Sequence, residues 1–472
     1  MKTQLPKIIQ GGMGVAVSNW SLAQAVSKLG QLGTVSGTAL NLVVARRLQC
    51  GDPGGHIRRA LNSFAFPKMA QRILDNYFIP GGKKLGTPFK AIAKPLLKGS
   101  RAFNELCIVS NFVEVFLARE GHKNAVAINY LEKIQLPHLP SLYGAILAGA
   151  SFVVVGAGIA TEMPAAIEAL TNHRPATYPI RVNGSPTAID FEFNPADYLE
   201  DGVDLPTLTK PSFLPIVSSD SLATMFMRRA KGQVDGFIVE APTAGGHNAP
   251  PRGALQLDAN GEPLYGPKDI ANLEKIRALG LPFWLGGGYA SPAKLAAALA
   301  AGATGIQAGT PFALCTDSGL LPELRQALMQ QALNGTGRVV TDHLASPTGF
   351  PFKVAQLPGS LSEEAAWMQR IRVCDLGYLR EAYLCADGTV GFRCPAETAE
   401  AYAAKGGDPA KTTGRKCVCN GLMAAIGLTD PRPWGAEPPL LTLGDAYAEV
   451  TQFCTNNSPD FSAADVINTL LA

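Results

Sequence analysis

The amino-acid sequence predicts an α/β protein: a (β/α)8 TIM barrel with insertions and a C-terminal α-rich cap. Three observations carry that expectation. Short runs that are apolar throughout alternate with helical patterns between residues 8 and 315. Runs without polar alternation belong to strands buried on both faces of a parallel sheet. Most of the runs also end in glycine, whereas an open doubly wound sheet, the competing topology, places one glycine-rich loop after its first strand.

In chain order, KIIQGGMG (7–14) reads as strand and loop, followed by the helical SLAQAVSKLG (21–30). LGTVSG (32–37), VAIN (126–129) and SFVVVGAG (151–158) are the next strands, the last leading into MPAAIEAL (163–170). FLPIVSS (213–219) runs into SLATMFMRRAKG (221–232), and DGFIVEAP (235–242) into the loop TAGGHNAPPRG (243–253). PFWLGGG (282–288) precedes PAKLAAALAAG (292–302), and TGIQAGT (304–310) closes the series. Two segments stand outside the rhythm: about 45–100, read as helices with Gly/Pro turns, and about 178–210, read as a β excursion. The expected division is a barrel over 1–345 and a Cys-, Gly- and Pro-rich cap over 346–472.

The totals narrow the class. The 472 residues are 47% hydrophobic and 17% charged, enough for a large core. With 41 basic against 38 acidic residues the net charge is +3, which calls for neither nucleic acid nor an anionic membrane as partner. The first twenty residues hold no continuous apolar leader, and the longest apolar stretch (143–158) is broken by glycines and a serine. The expected location is therefore the cytoplasm. Nine cysteines fit reduced thiols or metal ligands better than a disulfide framework.

Barrels place their chemistry at the C-terminal strand ends. Gly286, Gly287 and Gly288 close one strand and precede a helix, and Gly309 and Thr310 follow one strand later. Two such adjacent loops match the usual barrel phosphate site, because helix-start N–H groups attract anions; tight packing without a ligand is the plain alternative. IIQGGMG lacks the dinucleotide spacing but offers a backbone ledge for a flat ring, with Met13 against it. A phosphate grip and a flat ring across the strand ends describe flavin mononucleotide.

With these pieces in order, the chain resembles the nitronate monooxygenase (2-nitropropane dioxygenase) family and the related flavin-dependent enoyl-ACP reductases, which are FMN-binding TIM barrels. The matching motifs are IIQGGMG, AVSKLGQLGTVSG, VAIN, VVVGAG, TAGGHN, LGGGYA and GIQAGT, over about residues 6–315. SPTGFPFK (346–353) and the cysteine-rich tail look like the longer members. The resemblance implies that Gly12, Met13 and Gly14 lie along the flavin ring, that Asn129 bonds a ring edge, and that Gly245 and Gly246 line the ring. Gly287, Gly288, Gly309 and Thr310 would hold the phosphate, with Gly156 and Ser218 completing the cofactor set. His247 matches the family's base or substrate-orienting histidine.

The chain also departs from the family. Thr243 stands where a glutamate is common, four residues before His247, and the nearest acid is Glu240; Val217 or Ser218 replaces a frequent lysine. Thr243, Asn248 and Arg252 are the expected substrate contacts, Arg252 for an anion. An imidazole near its ordinary pKa of ~6.5 suits proton transfer at neutral pH. His56, His122, His138, His173 and His343 are assigned no role. Cys374, Cys394, Cys417 and Cys419 are the candidate ligands if the tail holds zinc or an iron–sulfur cluster, but their spacing is irregular. Small buried cysteines, with no metal, are the favoured reading.

The function expected is an FMN-dependent oxidoreductase acting on alkyl nitronates or nitroalkanes with O2, with NAD(P)H as a candidate electron donor. The alternatives are an NAD(P)H-dependent enoyl reductase serving fatty-acid or polyketide synthesis, and a non-catalytic flavin-binding subunit.

Overall fold

The computed structural model of the chain describes residues 5–454 and 458–472. The opening MKTQ of the segment read as free of a leader, and residues 455–457 of the tail, lie outside that range.

Eight parallel strands form the centre: β1 (Ile8–Gln10), β2 (Gly33–Ser36), β3 (Val126–Leu131), β4 (Phe152–Gly156), β5 (Ser212–Val217), β6 (Phe237–Glu240), β7 (Phe283–Gly286) and β8 (Gly305–Ala308). Each pairs with its sequence neighbour from β2 to β8, and β8 pairs with β1 through Ile8↔Ile306. The ring closes where Gln10 N–H donates to the Leu32 carbonyl (2.9 Å) and Leu32 N–H to that of Ile8 (3.0 Å). This is the TIM barrel that the eight apolar runs predict. Closure leaves no unpaired strand edge.

Side-chain alternation divides the strands between two cores. Ile9, Leu32, Ala127, Val154, Leu214, Ile238 and Trp284 fill the barrel interior. Trp284 is fully buried there, and its indole N–H donates to the Pro6 carbonyl (2.8 Å). The alternate residues face outward and meet the helices, for example Val153, Phe213, Phe237 and Ile306.

The 40–119 region explains why so many of its positions are buried. Helices Leu40–Gln49, His56–Leu61 and Pro67–Tyr77 cover the outside of the 19-residue helix Arg101–Arg119, so that helix is buried nearly all round. Its buried acids are consequently paired: Glu105 with Arg72 and Arg101, and Glu114 with Arg47 at 2.7 Å. Residues 78–100 carry no regular element. The β excursion is an antiparallel pair, Ala176–Ile180 with Ile189–Phe193.

The C-terminal region does not stand apart from the barrel. The antiparallel pair Val339–Asp342 and Phe352–Ala355 straddles the expected boundary at 345/346. Val182–Asn183, from the excursion, joins Glu381–Leu384 and Val390–Arg393 in one small sheet. The last helix, Ala463–Leu471, returns to pack on barrel helices Trp20–Lys28 and Pro292–Ala300. A buried ion network, in which Arg370 and Arg432 share Glu437, knits the region internally. Among the described residues no helix is long and apolar enough to cross a membrane.

Candidate active site

The C-terminal ends of the strands open into one cleft of about 1640 Å³, counting the part open to solvent. Gly12, Met13, Gly14, Asn129, Gly156, Thr243, Gly245, Gly246, His247, Gly287, Gly288, Gly309 and Thr310 all line it. Strand ends far apart in sequence therefore meet at one place.

The glycine ledge of β1 is held from beneath by a serine. Ser18 Oγ accepts from Met13 N–H (2.9 Å) and the Gln10 amide (2.8 Å), and donates to the Gly11 carbonyl (3.0 Å). Gly12 faces Asn129 so closely that a Cβ there would fall 2.5 Å from the asparagine Cβ. At the other side, Gly287 and Gly288 have φ of +89° and +76°, a region that favours glycine. A Cβ on Gly287 would meet Thr243 Oγ1 at 2.9 Å, and one on Gly309 would meet Met13 Sδ at 3.0 Å. The backbone is bare where a ligand would need to touch it.

Across the floor, Glu240, Gly286 and Gln307 align on β6, β7 and β8. The Glu240 carboxyl makes no hydrogen bond among the described residues, and burial pushes it up to about 8. The neutral acid is thus the prevailing form at neutral pH. Gln307 Oε1 is buried with no partner.

The folded pKa of the Glu240 carboxyl exceeds the ordinary ~4.3, so its contribution to stability is complete below ~4.3 and is lost as pH rises towards 8. Glu240→Gln, which cannot ionise, is expected to gain Tm relative to wild type between pH 6 and pH 9. A constant difference across that range would refute the buried acid.

His247 sits on the loop after β6. That loop is bridged to the 352–355 strand, with Lys353 N–H donating to the Gly246 carbonyl (2.9 Å) and Asn248 N–H to that of Pro351 (2.9 Å). The imidazole Nε2 is 2.7 Å from Ser346 Oγ, which in turn is 2.8 Å from Thr348 Oγ1. Phe352 packs edge-on against the ring, with centroids 4.8 Å apart. Nδ1 has no hydrogen-bond partner among the described residues. Burial first, and the Lys133 ammonium second, press the imidazole down to about 3. The ordinary value expected from the sequence is thereby corrected: this histidine is neutral across the physiological range.

Three expected site residues fall outside the cleft. Ser218 lies beyond the end of β5, where the chain turns to the helix cap Ser219, and Ile216 is β5's contribution to the wall. Asn248 folds back, its amide donating to the Ala244 carbonyl (3.0 Å), and braces the loop. Arg252 is exposed and donates to Ser221 Oγ (2.8 Å) at the surface.

Other contributors carry no motif. Thr442 Oγ1 accepts from Gly246 N–H (2.7 Å), Thr310 Oγ1 accepts from Gly444 N–H (2.8 Å), and Asp445 N–H donates to the Thr243 carbonyl (3.0 Å). Residues 442–445 thereby strap the β6 loop to the β8 loop. Tyr378, Leu379, Leu422 and Met423 roof the cleft with apolar surface.

Residues 208–343, which carry β5 to β8, match the family model described as nitronate monooxygenase. A nitronate monooxygenase of Paraburkholderia phytofirmans is 30% identical over 162 residues, 34% of this chain and 41% of that protein. A (3aS,4S,5R,7aS)-5-hydroxy-7a-methyl-1-oxo-octahydro-1H-indene-4-carboxyl-CoA dehydrogenase of Mycobacterium tuberculosis is 30% identical over 139 residues, 29% of this chain and 34% of that protein. The similarity thus spans less than half the length of either curated relative. Among solved structures, FabK from Thermotoga maritima superimposes with a TM-score of 0.50 at 15% identity, covering 99% of this chain and 91% of that one, a likeness of fold.

Proposed function

We propose that this chain is an FMN-dependent oxidoreductase whose substrate is an alkyl nitronate, with O2 as the oxidant. The observation that carries the reading is the convergence of bare glycine strand ends, Asn129 and Thr310 with His247 on a single cleft. The nitronate monooxygenase match over β5–β8 supports it. The donor set suits the cofactor. The N–H groups at Gly287, Gly288, Gly309 and Thr310 are of the type that holds a phosphate, while the unpartnered Gln307 Oε1 can accept from a ring N–H. When bound, the flavin supplies the electron acceptance and the reaction with O2.

The chain's own part is binding, orientation and water exclusion. A nitronate is already deprotonated at carbon, so it needs no base. That fits an imidazole held at about 3, which is a poor proton acceptor but a good neutral hydrogen-bonding group. A neutral nitroalkane would need the proton removed first and is the poorer substrate. Ser346 fixes the ring from behind, leaving Nδ1 for the anion. Ser346→Ala is expected to lower turnover about 2- to 10-fold, the usual worth of one neutral hydrogen bond of ~0.5–1.5 kcal/mol. Unchanged steady-state rates would remove the serine from the mechanism.

One observation favours an enoyl reductase as the second reading: the apolar roof of Leu379, Leu422 and Met423, which suits an acyl chain. Anaerobic mixing separates the two. Flavin bleaching by propionate 3-nitronate but not by NADPH supports the nitronate reading; bleaching by NADPH alone supports the reductase. Bound flavin that neither reagent reduces would mark a non-catalytic subunit, and purified protein without flavin absorbance would overturn the proposal.

A further inference from the structure

The C-terminal region holds a second set of chemically active side chains beside the cleft. Cys374, Cys394, Cys417 and Cys419 come from three separate segments and line one small cavity of about 250 Å³, counting the part open to solvent. All four are free thiols.

Polar groups surround the sulfurs. Asn420 Nδ2 is 3.4 Å from Cys417 Sγ. The backbone N–H groups of Tyr378 and Leu379 face Cys419, and that of Ala396 faces Cys394. Two arginines flank the cavity without a carboxylate partner among the described residues. Arg372 donates to the carbonyls of Pro395 (2.9 Å) and Thr412 (2.9 Å), and Arg380 to those of Pro95 (2.9 Å) and Gly377 (3.0 Å). Both guanidiniums lie in the field of the cysteines, Arg372 near Cys394 and Cys417, Arg380 near Cys374, Cys394 and Cys419.

Four sulfurs from three separate segments thus converge on one cavity, with backbone N–H donors directed at two of them. We propose that Cys374, Cys394, Cys417 and Cys419 bind an iron–sulfur cluster. N–H donors to sulfur and nearby positive charge are the surroundings such clusters use to set their potential. A single zinc is the less fitting occupant. Its ~2.3 Å bonds would draw four sulfurs to about 3.8 Å from one another, and among the described residues no three metal-ligating side chains gather around a single-ion site. A cluster holds its cysteines on a wider shell. Cys419 and Val418 also line the large cleft, so the cluster would lie directly behind its wall.

The test uses the full chain, expressed with added iron and purified without oxygen. Iron and acid-labile sulfide are assayed per chain, and the dithionite-reduced protein is examined by electron paramagnetic resonance. The expected result is about four iron and four sulfide with a reduced-cluster signal. Cys394→Ser and Cys417→Ser should lose the iron and sulfide while Cys385→Ser keeps them. One zinc per chain without sulfide would overturn the proposal. So would protein that stays metal-free after incubation with ferrous iron and sulfide. If the serine variants are insoluble, the wild-type iron, sulfide and resonance measurements decide alone. None of these readouts depends on flavin or on turnover.

Discussion

Replacing His247 by alanine is expected to lower kcat/KM for a nitronate about 10²- to 10³-fold, the usual cost of removing one preorganised hydrogen-bond donor from an active site. Bound flavin should remain, because the glycine loops that would hold its phosphate follow β7 and β8, and the β6 loop keeps Gly245 and Gly246 without the imidazole. The pH behaviour separates this role from general base catalysis. A base titrating near its ordinary ~6.5 would impose a break in kcat/KM there, whereas an imidazole at about 3 imposes none between pH 5 and 8. Stability carries the opposite signature. The unfolded chain takes up a proton below ~6.5 while the folded imidazole resists until about 3, so wild type loses stability as pH falls through that window. The alanine variant should lose less. His138, also held low by burial at about 4, adds to the acid sensitivity of both proteins, as do carboxylates held below their ordinary range such as Glu120 and Asp375. Wild-type turnover in the variant would eliminate His247 from the chemistry, and a break near 6.5 would restore it as a base.

Gly287→Val is expected to abolish flavin retention, with affinity at least about 100-fold weaker. Two costs add at this position. The +89° φ is strained for a β-branched residue by about 1–3 kcal/mol. The new Cβ would also stand 2.9 Å from Thr243 Oγ1, 3.0 Å from the Ala241 carbonyl oxygen and 3.1 Å from the Ala241 Cβ. Each 1.4 kcal/mol is a factor of ten. Flavin per chain after purification, and titration of the deflavinated protein with FMN, measure the loss. Gly280→Ala is the control. It shares the positive φ, at +75°, but has open space around it and lies away from the cleft. It should cost stability and leave flavin binding intact. Equal flavin loss in both variants would mean that strain alone, and not a phosphate grip, explains the effect.

The barrel was legible because its strands are apolar on both faces and end in glycine, a pattern written in adjacent residues. β1 to β8 all coincide with the runs read from the sequence, although β3 continues two residues past VAIN and β5 begins one residue before FLPIVSS. The glycines, Asn129, Thr310 and His247 were legible for the same reason: each lies near the C-terminal end of a strand or on the loop that follows it. What surrounds them was not. Ser346 lies 99 residues from the histidine it touches. Thr442 lies 196 residues from Gly246. No periodicity encodes such pairings, which exist only once the chain has closed. Ser218, Asn248 and Arg252 were misplaced because proximity in sequence to a strand end does not fix where a side chain points. One residue past the strand is enough to leave the wall, as Ser218 shows beside Ile216. The ionisation of His247 was equally hidden, since its burial comes from Phe352 and its neighbours on a distant hairpin.

Residues 442–445 make their three hydrogen bonds to loops that were synthesised long before them. During translation the eight strands can leave the ribosome and begin to pair while the strap is still unmade, as N-terminal units generally fold first. The β6 and β8 loops then wait without the groups that will fix them. The β6 and β8 loops are therefore fixed in their mutual positions only once residues 442–445 have docked, a step separate from closure of the barrel.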